Sequence, residues 1–167
     1  MQPMLFETPV TSAVLSHDRV YRYELWRRWA DDGAGYVNFI CLNPSKADET
    51  ADDPTVKKCV KFAKSWGYDA ICITNLFAYR ATDPEAMKAF PDPVGLGNSR
   101  YLKEVAQRAA LIVCAWGQHG SFNCRSSVVK RFLRRFDLHY LRLSGEPWHP
   151  LYLPDITRPS RWPRELR

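Results

Sequence analysis

Four short segments of this 167-residue chain carry residue types that could do chemistry: Asn43-Pro44-Ser45, Asn75 to Arg80, Trp116-Gly117 and Trp148-His149-Pro150. Asn43 offers a carbonyl oxygen and an NH2 group, which together can hold a water or a ligand amide. Pro44 removes a donor and keeps the residue before it extended, so the turn through Ser45 is stiff. The plainer reading of Asn43 is a turn residue that bonds only nearby backbone. Asp48 and Asp53 follow closely and could work as general acid or base. Helix capping accounts for one of them and a solvated loop for the other. His149 could donate to a developing oxyanion or exchange a proton near neutral pH, or it could be an ordinary structural histidine. Arg80 could fork onto a phosphate, or pair with Asp83. Phe77 or Trp116 could offer a face on which a base stacks, or finish the core. Asn75, Asn98 and Tyr152 complete the groups expected on the substrate side. His17 and His119, in loops, and His139, in a strand, carry less weight.

Each of these segments follows an apolar run: Tyr36 to Cys41, Ala70 to Thr74, Leu111 to Ala115 and Leu138 to Leu141. If the runs are parallel strands, the four groups emerge at the carboxyl edge of one sheet, where open α/β sheets bind ligands. Between the runs lie helix signals. Asp52-Asp53-Pro54-Thr55 is a carboxylate cap with proline at the first helical position. Val56, Cys59, Val60 and Ala63 recur at helical spacing, and Gly67 ends that helix. Thr82-Asp83-Pro84-Glu85 starts a short helix, and further helices are expected from about Ser99 to Arg108 and from Phe122 to Arg135. Around residues 10 to 29, Tyr21, Tyr23 and Leu25 alternate with Arg22 and Glu24, the period of a half-buried strand. With the turn signal Asp31 to Gly35, this strand is expected to form an antiparallel edge hairpin with the run from Tyr36. The tail from Ser144 reads as irregular structure wrapping the body. The expected architecture is a single domain, a three-layer α/β/α sandwich around a four-stranded parallel core.

The bulk numbers set limits. A length of 167 residues, 46% hydrophobic and 25% charged, fits one ordinary globular domain. The net charge of +6 favours an anionic partner, but charge speaks to steering rather than to a specific activity. Lys57, Lys58, Lys61 and Lys64 read as a solvated helix face. Arg125, Arg131, Arg134 and Arg135 on a later helix are the better candidates for a nucleic-acid backbone. None of the five cysteines forms a CxxC pair, so no zinc ribbon or dithiol redox motif is expected, and a reducing cytoplasm is. No leader and no membrane-spanning run is visible. The glycine spacing fits neither a phosphate-binding P-loop nor a nucleophile elbow.

Taken in order, Leu42-Asn43-Pro44-Ser45, Asp53-Pro54-Thr55, Asn75 to Thr82, Trp116-Gly117 and His149-Pro150-Leu151-Tyr152 resemble a bacterial and phage family filed as a domain of unknown function. The resemblance runs from about Tyr21 to Pro163. More distantly, Asn43-Pro44 is similar to the water-positioning Asn-Pro motif of the uracil-DNA glycosylase superfamily, and His149-Pro150 to the opening of its later His-Pro motif. That likeness implies an α/β/α fold and a hydrolase of an N-glycosidic bond in DNA or a nucleotide. Asn43 would place water, and His149 would stabilise the departing base. Ser45 stands where that motif has glycine, and Leu151-Tyr152 where it has Ser-Pro. These departures weigh against a loop that wedges into duplex DNA and leave a nucleobase or nucleotide pocket. The alternatives are a non-catalytic sensor of a nucleotide or modified base, and an accessory protein that binds nucleic acid through its arginine helix. No cofactor or metal is expected, and the partner would be nucleic acid or a nucleotide.

Overall fold

The computed structural model describes residues 10–167. The expectation of no leader, which rests on the first residues, lies outside that range. Strands β1 (Val10–Leu15) and β2 (Arg22–Arg28) form an antiparallel hairpin at one edge of a seven-stranded sheet. Beyond them come β3 (Tyr36–Cys41), β4 (Ala70–Asn75), β5 (Leu111–Cys114) and β6 (Leu138–Tyr140). A small pair, β7 (Leu143–Ser144) with β8 (Glu146–Pro147), precedes the last strand, β9 (Ser160–Arg161). The main sheet runs β1-β2-β4-β3-β5-β6-β9, with β4, β3, β5 and β6 mutually parallel and the flanking pairings antiparallel. The fold is mixed α/β, and its parallel strands end at one edge.

Two expectations about pairing change. The edge hairpin is β1 with β2, not β2 with β3, because β4 lies between them and pairs with β2 antiparallel and with β3 parallel. The turn after β2 therefore passes over a strand rather than closing a hairpin. It is pinned by Asp69, whose carboxylate accepts from the backbone N–H of Asp32 and Ala34. The tail is also more regular than expected: β9 pairs with β6 and closes the far edge.

The parallel strands are buried on both faces, as their unbroken apolar runs require. Val37, Phe39, Ile71, Ile73, Leu111 and Val113 pack with helix α1 (Pro54–Ser65), which contributes Val56, Cys59, Phe62 and Ala63. Ile40, Ile112 and Cys114 belong to a second cluster. There they meet Met87 of α2 (Pro84–Ala89), Leu102 and Ala106 of α3 (Asn98–Arg108), and Val129 of α4 (Arg125–Phe132). Phe62 stacks on Trp66 with ring centroids 5.4 Å apart, and truncating so buried an aromatic costs about 3–5 kcal/mol.

Local signals behave as their chemistry demands. Asp53 caps α1 by accepting from the Val56 N–H at 2.9 Å, Pro54 opens the helix, and Gly67 follows it with φ +88°. Asp83 caps α2 in the same manner. The helix expected from Phe122 to Arg135 is shorter. A 3-10 segment, Gln118–Cys124, comes first, and Asn123 and Cys124 sit at positive φ, so regular helix begins only at Arg125 and stops at Phe132.

Candidate functional site

The loops that leave β3 and β4 are tied together before anything else meets them. Leu76 N–H donates to Cys41 C=O, Phe77 N–H to Leu42 C=O, and Ala81 N–H to Pro44 C=O. Asn43 completes the brace: its Nδ2 donates to the carbonyls of Ala81, at 2.7 Å, and of Pro44. Because carbonyls only accept, this orientation of the amide is the chemically sound one. The NH2 end is therefore structural, and Oδ1 is the end of Asn43 left for a ligand or water.

At this edge opens a cavity of about 530 Å³, within the size range of small-molecule sites. It brings together Asn43, Ser45, Asp53, Asn75, Trp116, His149 and Tyr152 from the expected set. Asp53 reaches it from the start of α1, so one carboxylate oxygen caps the helix while the residue also faces the cavity. His149 precedes the 3-10 turn Pro150–Tyr152, and its Nδ1 accepts from the Leu151 N–H at 3.3 Å. In the neutral ring the proton then sits on Nε2, which becomes a donor. Burial pushes the His149 pKa down from 6.5, with Asp53 opposing in part, so the neutral donor is the form favoured near pH 7. Gly117, at φ +75°, turns the chain from Trp116 toward Gln118.

Other expected residues lie elsewhere. Phe77 is fully buried in the core and offers no stacking face to the cavity. Trp116 forms part of the wall but is only 1% exposed, and its indole N–H is held by Glu146 at 2.6 Å, so it shapes the cavity rather than presenting an open ring. Pro44 lies behind the lining and supplies the carbonyl that joins the two loops. Asp48 folds back on its own loop, accepting from the N–H groups of Ala51 and Thr50. Those bonds draw its pKa to about 2, too low for an effective base near neutrality. Arg80 lines a shallower basic recess with Arg19 and Lys46, on the other side of Ser45 and Thr82. It donates to the Arg19 carbonyl and makes no ion pair with Asp83. Asn98 is buried and donates to the carbonyls of Asn75 and Leu76. Arg125 is likewise buried and donates to the Leu76 carbonyl at 2.8 Å. These two hold the end of β4, and with it Asn75, in place. Arg131 and Arg134 line an exposed basic groove with Lys130, Arg164 and Arg167, while Arg135 is exposed.

The structure adds residues that strand alternation had pointed away from the interior or that had drawn little weight. Arg22, Thr55, Thr82, Gln118 and His119 also line the cavity. Arg22 is the most consequential. In the β1–β2 register Val14 faces Glu24 and Leu15 faces Arg22, so Tyr23 is an extra, bulged residue. The bulge puts Tyr23 against Tyr101 of α3, ring centroids 4.5 Å apart, and turns Arg22 into the cavity. Among the described residues no group of three or more His, Cys, Asp or Glu side chains gathers as a metal site would.

A family model matches residues 22–151, most of the chain. The chain belongs to the family described as Protein of unknown function (DUF1643). The matched span opens at Arg22 and closes at Leu151, so every residue named above as lining the 530 Å³ cavity, except Tyr152, falls within it. No curated protein and no solved structure matches the chain. No helix among the described residues is long and apolar enough to cross a membrane.

Proposed function

We propose that this DUF1643 protein is a glycosylase-like hydrolase that cleaves an N-glycosidic bond in a nucleotide or in DNA. In this reading the helices on both faces of the sheet form a three-layer sandwich of the uracil-DNA glycosylase type. The observation that carries the proposal is the meeting of Asn43, Asp53 and His149 in one cavity at the carboxyl edge of the parallel strands. Asn43 Oδ1 accepts a hydrogen bond from the attacking water and fixes its direction. The water oxygen bonds to the anomeric carbon as the glycosidic C–N bond breaks, and the electron pair leaves with the base. Asp53 accepts the water proton. His149 Nε2–H donates to the departing base anion, the point at which a preorganised donor does most for the rate. Ser45 and Tyr152 stand near the mouth and contact the sugar or base.

A non-catalytic sensor is the second reading, favoured by one feature: Asp53 is already engaged as the cap of α1. If capping is its whole role, the cavity binds without hydrolysing. The two are separated by measuring free base and ligand binding together, for wild type and Asn43→Ala, across free nucleotides and single- and double-stranded oligonucleotides with uracil, hypoxanthine, oxidised and hypermodified bases. Base release lost in Asn43→Ala with binding kept supports the hydrolase. Binding without release from any substrate, in wild type, supports the sensor.

A further inference from the structure

The innermost part of the cavity is built unlike a pocket for a neutral base. Arg22, Cys41, Val56, Ile73 and Asn75 all line it, and none is more than 3% exposed. Arg22 is thus a cation nine-tenths buried and more, in no ion pair among the described residues. Of its five N–H donors, Nη1 donates to the Ala47 carbonyl at 2.9 Å and Nη2 reaches Asn75 Oδ1 at a long 3.4 Å. Arg22 Nε and Asn75 Nδ2 have no acceptor. Because Asn75 turns its oxygen to Arg22, its spare group is a donor as well. The wall of the cavity is therefore backed by a buried cation and unfilled donors, an arrangement that favours a negatively charged oxygen. Asp53, the carboxylate whose charge acts on Arg22, makes no ion pair with it and accepts instead from the Val56 N–H at the start of α1.

We infer that Arg22 and Asn75 form an anion subsite at the inner end of the cavity, which takes the terminal phosphate or carboxylate of a small ligand that enters with its charged end first. This deepens the glycosidic reading and rests on it only for what the anion is attached to. The geometry selects against polymers. A phosphate inside a polynucleotide is flanked on both sides and cannot reach a closed end, whereas a monoester can. The substrate class is then a free nucleoside monophosphate or a nucleoside with an acidic group on its base.

The test compares the affinities of common nucleosides, their monophosphates, nucleosides carrying a carboxylate on the base, inorganic phosphate, and an oligonucleotide with internal phosphates only. The key variant is Asn75→Asp. It keeps the shape and gives Arg22 an internal counter-ion, so folding is expected to survive where Arg22→Gln could fail. A charge-assisted interaction of this kind is expected to make the anionic nucleoside about 10–100-fold tighter than its neutral parent, and Asn75→Asp to erase the difference. Whichever anionic nucleoside shows the gain identifies the source of the charge. Phosphate binding that Asn75→Asp abolishes, with no nucleotide binding, keeps the subsite and sinks the nucleotide reading. Base release from oligonucleotides with no gain from a terminal anion does the reverse. An affinity gain that persists in Asn75→Asp, or no gain from any anion, overturns the inference.

Discussion

Asp53 has two jobs, and substitutions can separate them. As the cap of α1 it accepts the Val56 N–H, and as a charge it sits at the positive end of that helix beside the cavity. Asparagine caps about as well as aspartate. Asp53→Asn therefore keeps the cap and loses the charge, which favours the buried Arg22 cation and whose interaction with the helix dipole is worth about 0.3–1 kcal/mol. In a chain of this size that lowers the melting temperature by roughly 1–4 °C. Asp53→Ala loses the cap as well, about 1 kcal/mol more, for a total fall of roughly 3–8 °C. If Asp53 takes the proton from water, both variants lose the same activity, about 10²–10⁴-fold, because general-base catalysis contributes that much. Stability then grades from wild type through Asn to Ala while base release drops fully at the first step. Calorimetric melting and a base-release assay on the same preparations read both quantities. Full activity in Asp53→Asn would refute the reasoning, leaving Asp53 as a cap and the cavity without this base.

Other perturbations probe other parts of the molecule. A Cβ at residue 120 would lie 2.1 Å from Cδ1 of the buried Trp116, so Gly120→Ala forces the wall to move and should cost about 1–3 kcal/mol in chemical denaturation; an unchanged midpoint would contradict this packing. Burial holds the His149 pKa below its usual 6.5, so the unfolded chain binds more protons in mild acid. The stabilisation is full above about pH 6.5 and is lost as pH falls toward the folded-state value. His149→Gln should flatten its part of the melting profile, leaving the share from His139, which burial shifts the same way. Arg125→Met should destabilise the fold by removing one of the two side-chain donors on the Leu76 carbonyl and the bond to the Ser99 hydroxyl, with no change in the salt dependence of any nucleic-acid binding. Removing Arg131 and Arg134 should instead leave the melting temperature unaltered and reduce the slope of log affinity against log salt by about 0.9 for each phosphate no longer neutralised.

Much of this arrangement was legible in the residues, for local reasons. The parallel strands announce themselves as doubly buried apolar runs, and Asp53-Pro54 and Asp83-Pro84 are complete helix starts whose bonds need no distant partner. Asn43, Asp53, Asn75 and Trp116 could be placed at one edge because each ends or closely follows a strand or opens the helix after one, whereas His149 reaches it through the small β7–β8 pair after β6. What escaped depended on partners remote in sequence. The Asp31 to Gly35 turn looks the same whether it closes a hairpin or passes over a strand, and only the insertion of β4 decides between them. Arg22 sits on the polar parity of β2 until the bulge at Tyr23 reverses it. A bulge is a property of the pairing with β1 and leaves little trace in β2 alone. Arg125 reads as one of several helix arginines, and its burial follows from its bonds to the Leu76 carbonyl and the Ser99 hydroxyl, which the topology creates. Phe77 suits core and site equally well by residue type, and it lies in the core with Ile40, Met87 and Leu102, partners that only the fold brings to it.

The central claim is that water adds to a sugar carbon at this cavity. It is tested most directly by running the reaction in ¹⁸O-labelled water with the substrate that shows turnover, and locating the label by mass spectrometry. The predicted result is label on the anomeric hydroxyl of the sugar, one atom per free base released, with both products absent in Asn43→Ala. Label on a phosphate or on the base, or product formation that Asn43→Ala leaves untouched, would contradict it.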